Sequence, residues 1–120
     1  MRWLADLYRF YRGRYHGTAL TREEFQEAAA RAADVLAQYQ RIWRVAGCEE
    51  NRAMALCAMA EAIAYFDAAQ NGQGGLRYAK VGSVSVSGKG IYSQVDISPK
   101  AQERELYRCA SRYLTICRAV

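Results

Sequence analysis

The sequence predicts a mainly helical fold: a small bundle of about four helices, with a β-hairpin or extended loop between the last two. Three observations predict it. Apolar residues recur at three- and four-residue steps in four separate stretches. Two of those stretches open with recognisable helix starts, a capping box and a Ser-Pro pair. Only the glycine-containing region between residues 71 and 97 changes to a two-residue alternation.

Residues 1–12 read as a short aromatic helix, with Trp3, Leu4, Leu7, Tyr8 and Tyr11 on one stripe. Gly13 and Gly17 bracket a loop. Thr21-Arg22-Glu23-Glu24 is a capping box, in which Thr21 and Glu24 can each satisfy the other's backbone N–H, and Leu20 and Phe25 stand at the staple positions. The stripe continues through Phe25, Ala28 or Ala29, Ala32, Leu36, Tyr39 and Trp43. It predicts a helix over 21–45, with Glu27 and Arg31 as an i,i+4 pair and Gly47 as its stop.

A third helix starts at Glu49, whose carboxylate, with that of Glu50, suits the positive end of the helix dipole. Between Ala53 and Phe66 only Glu61 is charged, and Ala53–Ala60 is apolar all round. Such a helix must be covered on most sides. A 120-residue chain offers few elements to cover it, so contact with another subunit is expected. Met54, Leu56, Met59 and Ile63 are its candidate inter-subunit residues.

Asn71-Gly72-Gln73-Gly74-Gly75 ends the helical pattern. Val84 and Val86 alternate with serines, Ser87-Gly88-Lys89-Gly90 is turn chemistry, and Ile91, Val95 and Ile97 form a return strand. A lone hairpin is marginally stable, so this one needs the helices or a neighbour; Val84 and Val86 are further inter-subunit candidates. Ser98 as N-cap and Pro99 at the first helical position open the last helix. Its stripe is Leu106, Cys109 or Ala110, Tyr113, and Ile116 or Cys117, running close to Val120.

Composition narrows function. Seventeen basic and twelve acidic side chains leave a net charge of +5, with 52% hydrophobic and 24% charged residues, the proportions of a globular protein. Residues 1–120 fit one domain with one modest core. No run approaches the roughly 18 apolar residues of a membrane span. Asp6 and Arg9 interrupt any signal-peptide stretch, so a protein made and kept in the cytosol is expected. Cys48, Cys57, Cys109 and Cys117 form no Cys-x-x-Cys pair, and the only histidine, His16, is distant from all four. They read as small hydrophobes in a reduced core, and no metal or cofactor is expected.

No catalytic constellation emerges. His16 sits on a loop beside Tyr15, and Glu23 and Glu24 are accounted for by capping. Gly72, Gly74 and Gly75 follow a helix rather than a strand, and no Gly-Lys-Ser/Thr step opens the next element. An enzyme is therefore not expected. The basic residues say more. Lys100, Arg104, Arg108 and Arg112 repeat every four positions on the last helix, where like charges repel and Glu103 and Glu105 relieve the repulsion only in part. Either they contact phosphates or an acidic protein surface, or they are a solvated face. Arg9, Arg12 and Arg14 interleave with Phe10, Tyr11 and Tyr15, which suits single-strand stacking or a protein interface. A small basic nucleic-acid-binding protein is thus an alternative class.

Four stretches together resemble the small head–tail connector proteins of tailed bacteriophages, also called adaptor or head-completion proteins. They are an aromatic N-terminal segment ending in Tyr15-His16-Gly17, and Leu20-Thr21-Arg22-Glu23-Glu24-Phe25 leading into Ala29-Ala30-Arg31-Ala32. The third is Ala55-Leu56-Cys57-Ala58-Met59-Ala60-Glu61. The fourth is Lys80-Val81-Gly82-Ser83-Val84-Ser85-Val86-Ser87 followed by a final helix ending in Cys117-Arg118-Ala119-Val120. The resemblance covers most of the chain in order. It implies a non-enzymatic structural subunit of the virion neck, made in the host cytoplasm and assembling as a ring below the portal, commonly twelve-fold. Such a ring extends the DNA channel and docks a stopper or other tail-side neck protein. Lys100, Arg104, Arg108, Arg112 and Arg118 are then candidates for contact with portal or with packaged double-stranded DNA, which they would meet through sequence-blind electrostatics. No membrane partner is implied.

Overall fold

The computed structural model describes residues 2–70 and 98–117. Four helices carry the described part of the chain: α1 (Arg2–Gly13), α2 (Arg22–Ile42), α3 (Glu49–Gln70) and α4 (Pro99–Tyr113). Two three-residue strands, β1 (Arg44–Ala46) and β2 (Thr115–Cys117), complete it. The fold is mainly helical, as the sequence predicts.

Local chemistry sets the helix starts. Thr21 Oγ1 accepts from the Glu24 N–H at 3.3 Å, and the Thr21 N–H donates to Glu24 Oε1 at 3.0 Å, so both halves of the capping box form. Ser98 Oγ accepts from the Ala101 N–H at 3.2 Å, and Pro99 occupies the first turn, where its missing N–H is not needed.

The helix ends differ from expectation. α2 stops at Ile42 rather than continuing to residue 45, and α4 stops at Tyr113 rather than near the C-terminus. Trp43 and Leu114 both turn extended, and the residues after them pair as an antiparallel ribbon, Arg44 opposite Cys117, Val45 opposite Ile116 and Ala46 opposite Thr115. Val45 and Ile116 lean on the core while their neighbours are exposed. Helical periodicity cannot reveal a pairing between segments so far apart in sequence. Cys117 therefore lies on a strand and does not share a helix face with Cys109. The expected hairpin over 84–97 lies outside the described residues.

α3 is the central element: α2 and α4 pack along it, and α1 rests on α2 and α3. Ala55, Cys57, Ala58, Met59, Ala60 and Ala62 are wholly buried, and Leu56, Ile63, Tyr65 and Phe66 nearly so. The expectation that α3 needs a second copy to cover it does not hold. Alanines make this helix thin, so neighbouring helices approach closely and each hides more of its circumference. The core includes residues of all four helices, with Leu7, Tyr11, Phe25, Leu36, Cys109 and Leu114 among those outside α3. No described helix is long and apolar enough to cross a membrane.

The link from α1 to α2 is shaped by one aromatic ring. Tyr11 is completely buried, stacked on Phe25 with ring centres 4.5 Å apart and on Tyr15 at 5.7 Å. The chain turns back over it through His16, which adopts a positive φ of 63°. Gly17 then donates its N–H to the Tyr11 carbonyl at 2.8 Å. A Cβ on Gly17 would fall 2.0 Å from Tyr11 Cε1, so only glycine fits.

Candidate interaction surfaces

Lys100, Arg104 and Arg112 are exposed on α4, as the four-residue spacing suggests. Arg108 is half-buried and turned back on its own helix. Its Nε donates to Glu105 Oε1 at 3.1 Å, and its Nη2 bonds Glu105 Oε2. That hydrogen-bonded pairing holds its pKa above the ordinary arginine value. Three of the four residues of the row are thus exposed, and Arg108 pairs with a neighbour three positions away. Arg118 lies outside the described residues.

The second basic cluster is divided. Arg9 and Arg12 are exposed, while Arg14 is ion-paired to Glu50, tying the loop after α1 to the start of α3. The aromatics between these arginines are not free platforms. Tyr11 is in the core, and Phe10 and Tyr15 pack against it half-buried. Stacking of a single-stranded base on Tyr11 would require dismantling the core. Arg31 likewise pairs with Asp67 on α3, rather than with Glu27 on its own helix.

Of the residues expected between subunits, Leu56, Met59 and Ile63 are inside the molecule, with exposures of 7%, 0% and 5%. Met54 is half-buried. The first three would have to leave their own core to meet a neighbour, so as docking residues they are corrected to core residues. Val84 and Val86 lie outside the described residues.

Glu61, the lone charge in the apolar run, proves to be the one buried ionisable carboxyl among the described residues. Tyr11 Oη donates to Glu61 Oε2 at 2.9 Å, and Tyr15 Oη donates to Oε1 at 3.1 Å. Tyr11 Oη in turn accepts the buried Leu20 N–H at 3.2 Å. Burial, reinforced by the charge and hydrogen bond of Glu61, raises the Tyr11 pKa well above the ordinary phenol value. Burial and the same carboxylate raise the Cys57 thiol. This node joins α1, the 14–20 loop and α3 through directed bonds, where apolar packing alone would allow sliding. A single acid inside an apolar helix was the available sequence signal. Its partners could not be assigned before the fold brought them together.

Among the described residues, two surface grooves are defined. One, of about 630 Å³, lies between α1, α2 and the start of α3 and is lined by Trp3, Phe10, Ala53 and Leu56 with Asp6, Glu49 and Arg52. The other, of about 540 Å³, lies between the end of α2 and α4. Its walls are aromatic: the Tyr39, Trp43 and Tyr107 ring centres stand 5.3–5.9 Å apart. Burial, then the nearby Glu103 charge, pushes the Tyr39 phenol up to about 12.

Among the described residues, no group of three or more His, Cys, Asp and Glu side chains is placed to hold a metal ion. The cysteines divide in two: Cys57 and Cys109 are core residues, whereas Cys48 and Cys117 are exposed, against the reading of all four as core. His16 is exposed on its loop. Comparison of the chain with family models, with curated proteins and with solved structures finds no match in any of the three.

Proposed function

We propose that this chain is a structural head–tail connector subunit of a tailed-phage virion. It would assemble as a ring below the portal, extend the DNA channel and dock the next neck or tail component. The observation that carries the reading is the exposed cationic face of α4, where Lys100, Arg104 and Arg112 line one side of a well-covered helical bundle. Positive charge exposed on this face would be attracted to a portal surface of opposite charge or to the phosphates of passing DNA. The ordered resemblance of the four sequence stretches to connector proteins supports the same assignment. Since α3 is covered from within, the ring must form through outer faces of the bundle, in a heterologous contact that closes by rotation.

Analytical ultracentrifugation of the protein alone and with purified portal tests this. The expected result is self-association that strengthens with portal and weakens in Lys100→Glu/Arg104→Glu. A strict monomer indifferent to portal overturns it. The same cationic face also favours a second reading, a small sequence-blind DNA-binding protein. That reading requires the isolated monomer to bind duplex DNA at micromolar concentration or tighter, with affinity falling steeply as salt rises.

A further inference from the structure

Two large hydrophobic residues stand exposed among the described residues, and they belong to different surfaces. Trp3, 42% exposed, lines the groove between α1, α2 and the start of α3, together with Phe10 and Leu56. Ile42, 64% exposed, is the last residue of α2. The two surfaces lie on opposite flanks of α2. Ala33 lines the groove, and Ile42 stands nine positions further on, about two and a half turns, which carries it to the other side of the helix. Fully buried Leu36 marks the core-facing side between them. A molecule therefore cannot seat its own Ile42 in its own groove.

The two surfaces also differ in charge. The groove carries two carboxylates, Asp6 and Glu49, against one guanidinium, Arg52. Around Ile42 the balance is reversed: residues 35–48 include no acid, and Arg41 and Arg44 are both exposed. Arg41 has its Cα about 3.8 Å from that of Ile42, and Arg44 at most about 7 Å away, so whatever covers Ile42 comes within reach of both. Glu103 and Arg104, which face this end from α4, offset one another. We infer that the occupant of the groove is the Ile42 end of a second copy of this chain, with Ile42 set against Trp3 and Phe10, and Arg41 and Arg44 opposite Asp6 and Glu49. An apolar projection that fits a pocket elsewhere on the same molecule makes a head-to-tail contact, which repeats from copy to copy. The apolar insertion supplies affinity, and the charged rim supplies orientation. The inference rests on the ring reading and names the contact between its subunits. A nucleic acid fits the groove poorly, because its excess carboxylate repels phosphate.

Sedimentation equilibrium from micromolar to millimolar protein, with and without portal, tests this. Ile42→Asp alters one surface and Asp6→Lys/Glu49→Lys the other; all three residues are exposed, so the core is untouched, and circular dichroism checks the fold. Each variant alone should self-associate at least tenfold more weakly than wild type. Mixed together they retain one intact surface each, so they should form a one-to-one pair and nothing larger. Adding Arg41→Glu/Arg44→Glu to the groove variant should restore association to within about threefold of wild type. Association at wild-type strength in both variants, or a mixture that stays monomeric, overturns the inference and leaves the ring reading standing. Loss of portal binding with self-association intact assigns the groove to portal and overturns it as well. A wild-type protein that is monomeric with and without portal overturns both.

Discussion

Removing one oxygen atom from the core tests how the N-terminal helix is fastened. In Tyr11→Phe the ring keeps its place against Phe25 and Tyr15, so stacking and volume are preserved. Two hydrogen bonds are lost: the one to the Glu61 carboxylate at 2.9 Å and the one from the buried Leu20 N–H at 3.2 Å. A bond to a charged group is worth roughly 1.5–3 kcal/mol, and an unsatisfied buried donor costs roughly 1–3 kcal/mol. Losing the hydroxyl's own desolvation penalty offsets part of this. The net expectation is a destabilisation of about 3 kcal/mol. For a chain of this size that lowers the melting temperature by roughly 10–15 °C. Urea titrations followed by circular dichroism should show a lower midpoint with an unchanged slope, since the surface exposed on unfolding is the same. Tyr15→Phe, which loses one bond at a half-buried position, should cost less. A Tyr11→Phe protein within about 0.5 kcal/mol of wild type, or a Tyr15→Phe protein that suffers more, would refute the view that Glu61 is held through Tyr11.

Other outcomes follow from the same structure. Gly17→Ala drives a methyl into the Tyr11 ring, which is trapped between two others, and should cost at least 1–3 kcal/mol (approximately) in a denaturant melt. Gly13→Ala, with nothing within 4 Å of its new Cβ, should be neutral or slightly stabilising. Alkaline pH should unfold the protein progressively. Burial, then the Glu105 charge, pushes the Cys109 thiol from 9.0 up to about 12, and Tyr39 rises from 10.0 to about 12. Tyr11 and Cys57 are also raised. In each case the folded state holds its proton where the unfolded chain has lost it. This stabilisation is therefore complete below pH 9 and falls as pH rises from 9 toward 12, by about 1.4 kcal/mol per pH unit per group. Urea midpoints that stay flat between pH 8 and 11 would contradict this. Finally, a thiol reagent should modify Cys48 and Cys117 rapidly in the native protein, and Cys57 and Cys109 only at the rate of unfolding.

The sequence by itself determined the helices, because their signals are local. Thr21 and Glu24 lie three positions apart, Ser98 and Pro99 are adjacent, and the Phe25–Tyr39 stripe repeats every turn, so each needs only its own segment to be read. The exposed cations of α4 were legible for the same reason. Only the tertiary structure decided the rest. The β1–β2 ribbon that ends α2 and α4 joins distant segments, and the partners of Arg31 and Glu61 come from other elements. The groove beside Ile42 exists only where two helices meet. Above all, the sequence showed that α3 is apolar all round but not what would cover it. Coverage depends on how closely neighbours approach, and alanine side chains let α2 and α4 come near enough for one chain to bury its own central helix.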